Sequence, residues 1–309
     1  MNWKLLKQIG YHVYKCEDWR DYKRYYVFLG RCGLNRRAMD MHMAFFSTHS
    51  NRQKLMTGCP WLIDQATRQV FYKGSTLPER AIYIQEHIKY MEQLFKPELM
   101  ERIYAKGERV PLWRDEFDGK PFILFMNFRD GQQKEGCLSI ELVYDSADEL
   151  HTGWSYGTHV YQIMFALGGK DLTIKIGALQ GLAGGSDFIK RLTKHYFGYR
   201  PKNFILWCLR CIAVTIGAKE ITAVSNSGYY AMNHIRLDRK LKVDLDGFWE
   251  ETGGTVFPDD TRFYHIPIEE HRKAMSEMKP SKRANHRRRY ELMDNIAASI
   301  QTSLESYMK

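Results

Sequence analysis

The chain has 309 residues, 44% of them apolar, enough to bury a substantial core without disulfide support. Its formal charge is +10, and residues 279–289 (KPSKRANHRRR) supply six positive charges and no acid. No apolar run reaches the roughly 18 residues that span a bilayer, because the longest candidate, 204–217, contains Arg210, so the reading excludes a membrane-spanning helix.

Residues 3–29 mix aromatic and charged side chains and read as weakly helical. Helical periodicity is clearer over 35–104, where Ile84, Ile88, Met91 and Phe95 recur near a 3.6-residue period. Pro78 suits the first turn of that helix and Pro97 its stop. After Val110-Pro111 the period shifts toward two. Segments 121–129, 136–144, 159–167 and 172–179 read as strands of an antiparallel meander. Glu141, in LSIELVY, alternates with apolar residues; that places it in solvent or, as a base, in a cleft, and solvent is the expected location. Helices are expected at 186–197 and 202–216, strands at 221–225 and 262–266, and a final helix from about 269, interrupted at Pro280 and resumed to 307. The organisation is a helical region over 1–110, an α/β domain over 111–268, and a basic helix over 269–309 packed on it or extending from it.

Residues 179–226 hold the densest set of signals. The strand ending in LQGLAGG leads into two helices, and the second opens at Arg200-Pro201-Lys202. With Pro201 in the first turn, free backbone N–H groups and two flanking cations form a potential anion site. Gln180-Gly181 and Gly184-Gly185 supply freedom for a turn but match neither a Walker A loop nor a dinucleotide fingerprint. Beyond the 221–225 strand, Asn226 can donate a hydrogen bond, and Tyr229 or Tyr230 can act as a general acid. Asp244 and Asp246 have turn spacing rather than ligand spacing, so no bound metal is expected. Cys208 and Cys211 lie on an apolar helix and read as core, and the six cysteines show no disulfide framework. The amino-terminal residues lack the apolar stretch of a signal peptide, so a cytoplasmic location is expected.

Lys282, Arg283, Arg287, Arg288 and Arg289 form the basic cluster near the C-terminus. It suits an acidic carrier protein or an anionic membrane surface, or it is a solvated helix face; no nucleic-acid recognition module accompanies it.

In combination, Glu135-Gly136, IGALQG (176–181), LTKHYFGYRPK (192–202), AVSN (223–226), DLDGFWEETGG (244–254) and SKRANHRRRYELMD (281–294) resemble the VirK/YbjX family of Gram-negative bacteria. That resemblance covers most of the chain and implies an association with virulence and antimicrobial-peptide resistance, without an assigned biochemical activity. The order of strands, turn, helix, ITAVSN and a Tyr-bearing segment is also distantly similar to the GNAT acyltransferase fold, differing by an extra helical segment at 187–197. It implies an α+β fold with a mainly antiparallel sheet flanked by helices. It further implies that Gln180, Gly181, Arg200 and Lys202 lie toward the donor phosphates, with Tyr229 or Tyr230 as the acid; Asn226, on the cofactor side, and Glu141, as a base, complete the candidate set from the residues themselves. Nothing tightly bound is implied; acyl-CoA or acyl-carrier protein would serve as cosubstrate. The alternative is a non-catalytic factor of the same fold that binds a protein or anionic lipid through its basic helix, peripheral to the inner membrane.

Overall fold

The computed structural model describes residues 2–128, 133–145, 157–233 and 243–309. Arg129, at the end of the expected 121–129 strand, lies outside them.

Seven helices come first: α1 (Trp3–Tyr14), α2 (Trp19–Leu34), α3 (Arg36–Ser47), α4 (Ser50–Gly58), α5 (Trp61–Thr67), α6 (Leu77–Leu94) and α7 (Pro97–Met100). Their starts follow local chemistry. Asp18 accepts from the Asp21 N–H at the head of α2, and Thr76 and Glu79 form a reciprocal capping box at the head of α6, with Pro78 in its first turn. The aromatic, charged stretch after Trp3 is thus firmly helical, because its apolar positions (Leu6, Ile9, Val13, Phe28) are buried in the common core.

Among the described residues eight strands then form one sheet: β1 (Val110–Phe117), β2 (Lys120–Asn127), β3 (Leu138–Tyr144), β4 (Thr158–Gly168), β5 (Thr173–Gly181), β6 (Glu220–Val224), β7 (Thr255–Val256) and β8 (Phe263–Ile266), in the order β1-β2-β3-β4-β5-β6-β8-β7. Every neighbouring pair is antiparallel except β5 with β6, whose parallel pairing covers only Thr173–Ile176 against Glu220–Ala223. The connection between those two strands is α8 (Ser186–His195) and α9 (Pro201–Thr215). The architecture is therefore α+β with a mainly antiparallel sheet. β1 extends the expected meander by one strand.

Helix α9 packs on β3 and β4, and α6 on β4. Trp113 and Phe122 turn their rings toward Tyr196 and Phe204, while the Tyr83 and Tyr90 hydroxyls of α6 donate to the backbone carbonyls of Lys175 and Gly169. Cys208 and Cys211 are free and buried in α9, as the sequence indicates. Gly217, at φ +71°, ends that helix in a conformation side chains disfavour. Arg210 is also buried, and three acceptors hold its guanidinium: the Pro267 carbonyl (2.9 Å), the Thr252 carbonyl (3.0 Å) and Glu270 (3.1 Å).

Those contacts explain one correction. Residues from 269 do not continue as helix; apart from a short 3-10 turn at Met275–Glu277 they are irregular, because Glu270 is drawn to Arg210 and to the Tyr199 hydroxyl (2.7 Å). The last helix, α11, starts at Pro280, runs to Glu305 and packs on α9 and β1. One continuous apolar cluster extends from Leu6 to Leu304. No described helix is long and apolar enough to cross a membrane.

Candidate active site

Alternation along the strands puts Ile123, Phe125 and Asn127 of β2 and Ser139, Glu141 and Val143 of β3 on one face of the sheet, where Phe125 faces Glu141 and Ile123 faces Val143. Ile123, Phe125 and Val143 form a buried cluster separate from the main core. Glu141 is 1% exposed, which corrects its expected place in solvent. Burial is tolerable because Asn127 Nδ2 (2.8 Å) and His159 Nδ1 (2.5 Å) both hold its carboxylate.

From Glu141 a polar row continues across the sheet. Gln162 lies opposite Glu141, and Gln180 opposite Gln162. Gln162 Nε2 donates to Gln180 Oε1 at 3.0 Å, and Gln180 Nε2 reaches Glu135 Oε1 at 3.4 Å. Glu135 also accepts from the Tyr229 hydroxyl at 3.0 Å, and the Tyr229 and Tyr230 rings meet edge to face with centroids 4.8 Å apart. The structure thus brings together Gln180, Tyr229 and Tyr230 around a carboxylate that sequence reasoning passed over.

Glu135 is only 2% exposed, and its Oε2 has no hydrogen-bond partner. Burial raises its carboxyl from an ordinary 4.5 to about 7, against the opposing pull of Tyr229, Lys134 and Tyr230. The Tyr229 hydroxyl is held well above its usual range, first by burial and then by the neighbouring Glu135 charge. Four hydrogen bonds fix the segment. Gln65 Nε2 donates to the carbonyls of Gln133 and Gly136, the Phe71 N–H donates to the Lys134 carbonyl, and the Cys137 N–H donates to the Phe165 carbonyl. Beneath it lies Gly177 of β5, where an added Cβ would stand 1.7 Å from the Glu135 carbonyl oxygen; only glycine admits the approach. An acid beside a glycine before a strand was the available signal for Glu135, but its partners lie 45 and 94 residues away.

The other expected site residues gather elsewhere. Gly181, at the end of β5, is exposed and lies opposite Tyr161. At the head of α9, Arg200 pairs with Glu251 of α10 (Asp246–Glu251) at 2.8 Å, and the Lys202 ammonium sits 4.0 Å over the Phe248 ring, lowered from its ordinary value by burial. Asn226 Nδ2 donates to Asp244 at 2.9 Å while its Oδ1 accepts from the Leu245 N–H. On α11, Arg289 turns inward to donate twice to the Phe197 carbonyl, and Arg283 donates to the Met278 carbonyl. Lys282, Arg287 and Arg288 are exposed, and their side chains make no ion pair among the described residues.

Fold and site together define an α+β protein whose mainly antiparallel sheet is flanked by a buried, hydrogen-bonded Glu135–Tyr229 pair. The chain belongs to the family described as "Protein of unknown function (DUF535)", which it matches over residues 17–302. It is 33% identical over 134 residues to "Uncharacterized protein YbjX" of Escherichia coli (strain K12), covering 42% of this chain and 40% of that protein. It is 24% identical over 206 residues to an uncharacterized protein of Haemophilus influenzae, covering 67% and 62%. The aligned parts thus span less than two thirds of these relatives' own length. No solved structure matches the chain.

Proposed function

We propose that the protein is an acyl-transfer enzyme that uses a thioester donor, acyl-CoA or acyl-carrier protein, with Glu135 as the proton acceptor. The observation that carries this reading is the unpartnered Oε2 of a buried Glu135 whose carboxyl titrates at about 7, near the optimum for a general base. As the acceptor's nucleophile bonds to the acyl carbon and the carbon–sulfur bond breaks, its proton passes to Glu135 and from there to the departing thiolate. Tyr229 is a positioning residue: its hydroxyl holds Glu135 Oε1 and leaves the buried Oε2 without a hydrogen bond. The parallel β5–β6 pair, joined by α8 and α9 and followed by Tyr229 and Tyr230, supports the likeness to acyltransferases. The test is thiol release from CoA thioesters of increasing chain length by the wild type and Glu135→Gln. Release that drops at least 100-fold in the variant, with thioester binding retained, supports the assignment; equal release by the two proteins removes Glu135 from the chemistry.

A second reading rests on Lys282, Arg287 and Arg288. These exposed cations on one helix fit a non-catalytic role in which α11 holds an acidic protein or an anionic lipid. Capture that is undiminished in a triple glutamine variant would exclude it.

A further inference from the structure

A cleft of about 1150 Å³ opens between α1, α2, α5 and the Glu135 segment. Ligand sites of small molecules run to about 1,000 Å³, so this one has room for a sizeable solute. Seven lysine and arginine side chains line it, against one carboxylate, Asp21. Asp21 is committed to Arg24, and Arg68 is committed to the buried Asp64. The remaining five, Lys15, Arg20, Lys23, Arg31 and Lys134, are exposed and make no ion pair among the described residues. Arg31 draws down the buried Asp64 carboxyl and, after burial, helps push the neighbouring Arg80 guanidinium down to about 10. Like charges gathered around one concavity raise the local potential and attract an anion that neutralises several at once. The walls are also aromatic: Tyr14, Trp61 and Tyr230.

Tyr230 and Lys134 connect the cleft to the acid/base site. Lys134 is the residue before Glu135, and the Tyr230 ring abuts Tyr229, whose hydroxyl binds Glu135. We propose that this cleft binds a ligand bearing clustered phosphate groups, the phosphates on the cationic face of α2 and on Lys134, the far end directed to Tyr230. Only that direction rests on the acyl-transfer reading; binding itself does not. The phosphates can belong to a soluble cosubstrate or to a lipid headgroup. The headgroup source is worth testing because Trp19, Tyr22 and Tyr26, one position before cleft-lining Arg20, Lys23 and Val27, form an adjacent exposed stripe on α2, with Trp19 79% exposed.

The test is calorimetry on the full chain with inorganic tripolyphosphate and with CoA, and sedimentation with phosphatidylglycerol against phosphatidylcholine vesicles. Two double variants are compared: Arg31→Gln/Lys134→Gln in the cleft, and Lys170→Gln/Lys219→Gln outside it, which removes the same charge elsewhere. All four positions are exposed, so matching thermal unfolding curves verify folding. The expected result is saturable one-to-one binding of a soluble probe that weakens roughly 10- to 100-fold in the cleft variant alone. Capture by phosphatidylglycerol vesicles alone, lost only in the cleft variant, supports the proposal with the headgroup as source. No binding of any probe, or equal losses in both variants, overturns it. Binding is read apart from thiol release, so a failed acyl-transfer reading leaves this result intact.

Discussion

Replacing Glu135 with glutamine gives a stability change whose size depends on pH. In the unfolded chain this carboxyl titrates near 4.5; in the folded protein burial raises it to about 7. Between those values the folded state binds more protons than the unfolded state, so stability falls as pH rises and the full penalty is reached above 7. At about 1.4 kcal/mol per pH unit across that interval, the ionised carboxylate destabilises the fold by about 3 kcal/mol. Glutamine carries no such penalty. Urea unfolding should therefore show Glu135→Gln within about 1 kcal/mol of wild type at pH 5 and more stable by about 3 kcal/mol at pH 8, with an unchanged dependence on urea. Parallel pH profiles for the two proteins would refute the claim that Glu135 is a buried carboxyl titrating near neutrality.

Three further outcomes follow from named contacts. Gly177→Ala should lower stability by about 3 kcal/mol in the same urea assay, because its Cβ meets the Glu135 backbone rather than a movable side chain. His87 is buried and neutral: Nδ1 accepts from the Leu167 N–H, leaving Nε2 to donate to Tyr104, and burial lowers its pKa from 6.5 to about 3. The unfolded chain thus takes up a proton below 6.5 that the folded protein refuses, so the His87 contribution to stability falls as pH drops, opposite in sign to that of Glu135, and His87→Gln should gain on wild type in urea midpoint as pH is lowered from 6.5 to 4. Arg289→Ala should cost about 1–3 kcal/mol by removing two donors to the Phe197 carbonyl and the contact with the Tyr199 ring, whereas Arg288→Ala should stay within about 0.5 kcal/mol of wild type by thermal or urea unfolding.

The strands were legible where one face is apolar and the period is two: β2 to β5 fall where alternation places them. β1 was missed because Arg114, Asp115 and Glu116 interrupt its pattern, which an edge strand tolerates by facing solvent. The stretch after residue 269 reads as helix locally, yet Glu270 is needed by Arg210, a demand made by distant residues. Glu141 looked solvent-facing because period-two alternation cannot tell an open sheet face from a covered one that also contains Asn127 and His159. At the site, Gln180, Tyr229 and Tyr230 carried recognisable strand-end signals, while Glu135 stood in an irregular segment without periodicity. The net charge also misled. Residues 279–289 form the visible basic run, but the cations of the cleft come from positions between 15 and 134 and are gathered only by packing of α1, α2 and α5.

The most direct test of the account is the pH dependence of kcat/KM for thiol release from a CoA thioester, measured for wild type and Glu135→Gln. With Glu135 as the base, the wild-type rate rises with pH through an apparent pKa near 7, and the residual rate of the variant lacks that inflection. An inflection near 7 that survives in Glu135→Gln, or no thiol release by the wild type across chain lengths, would contradict it.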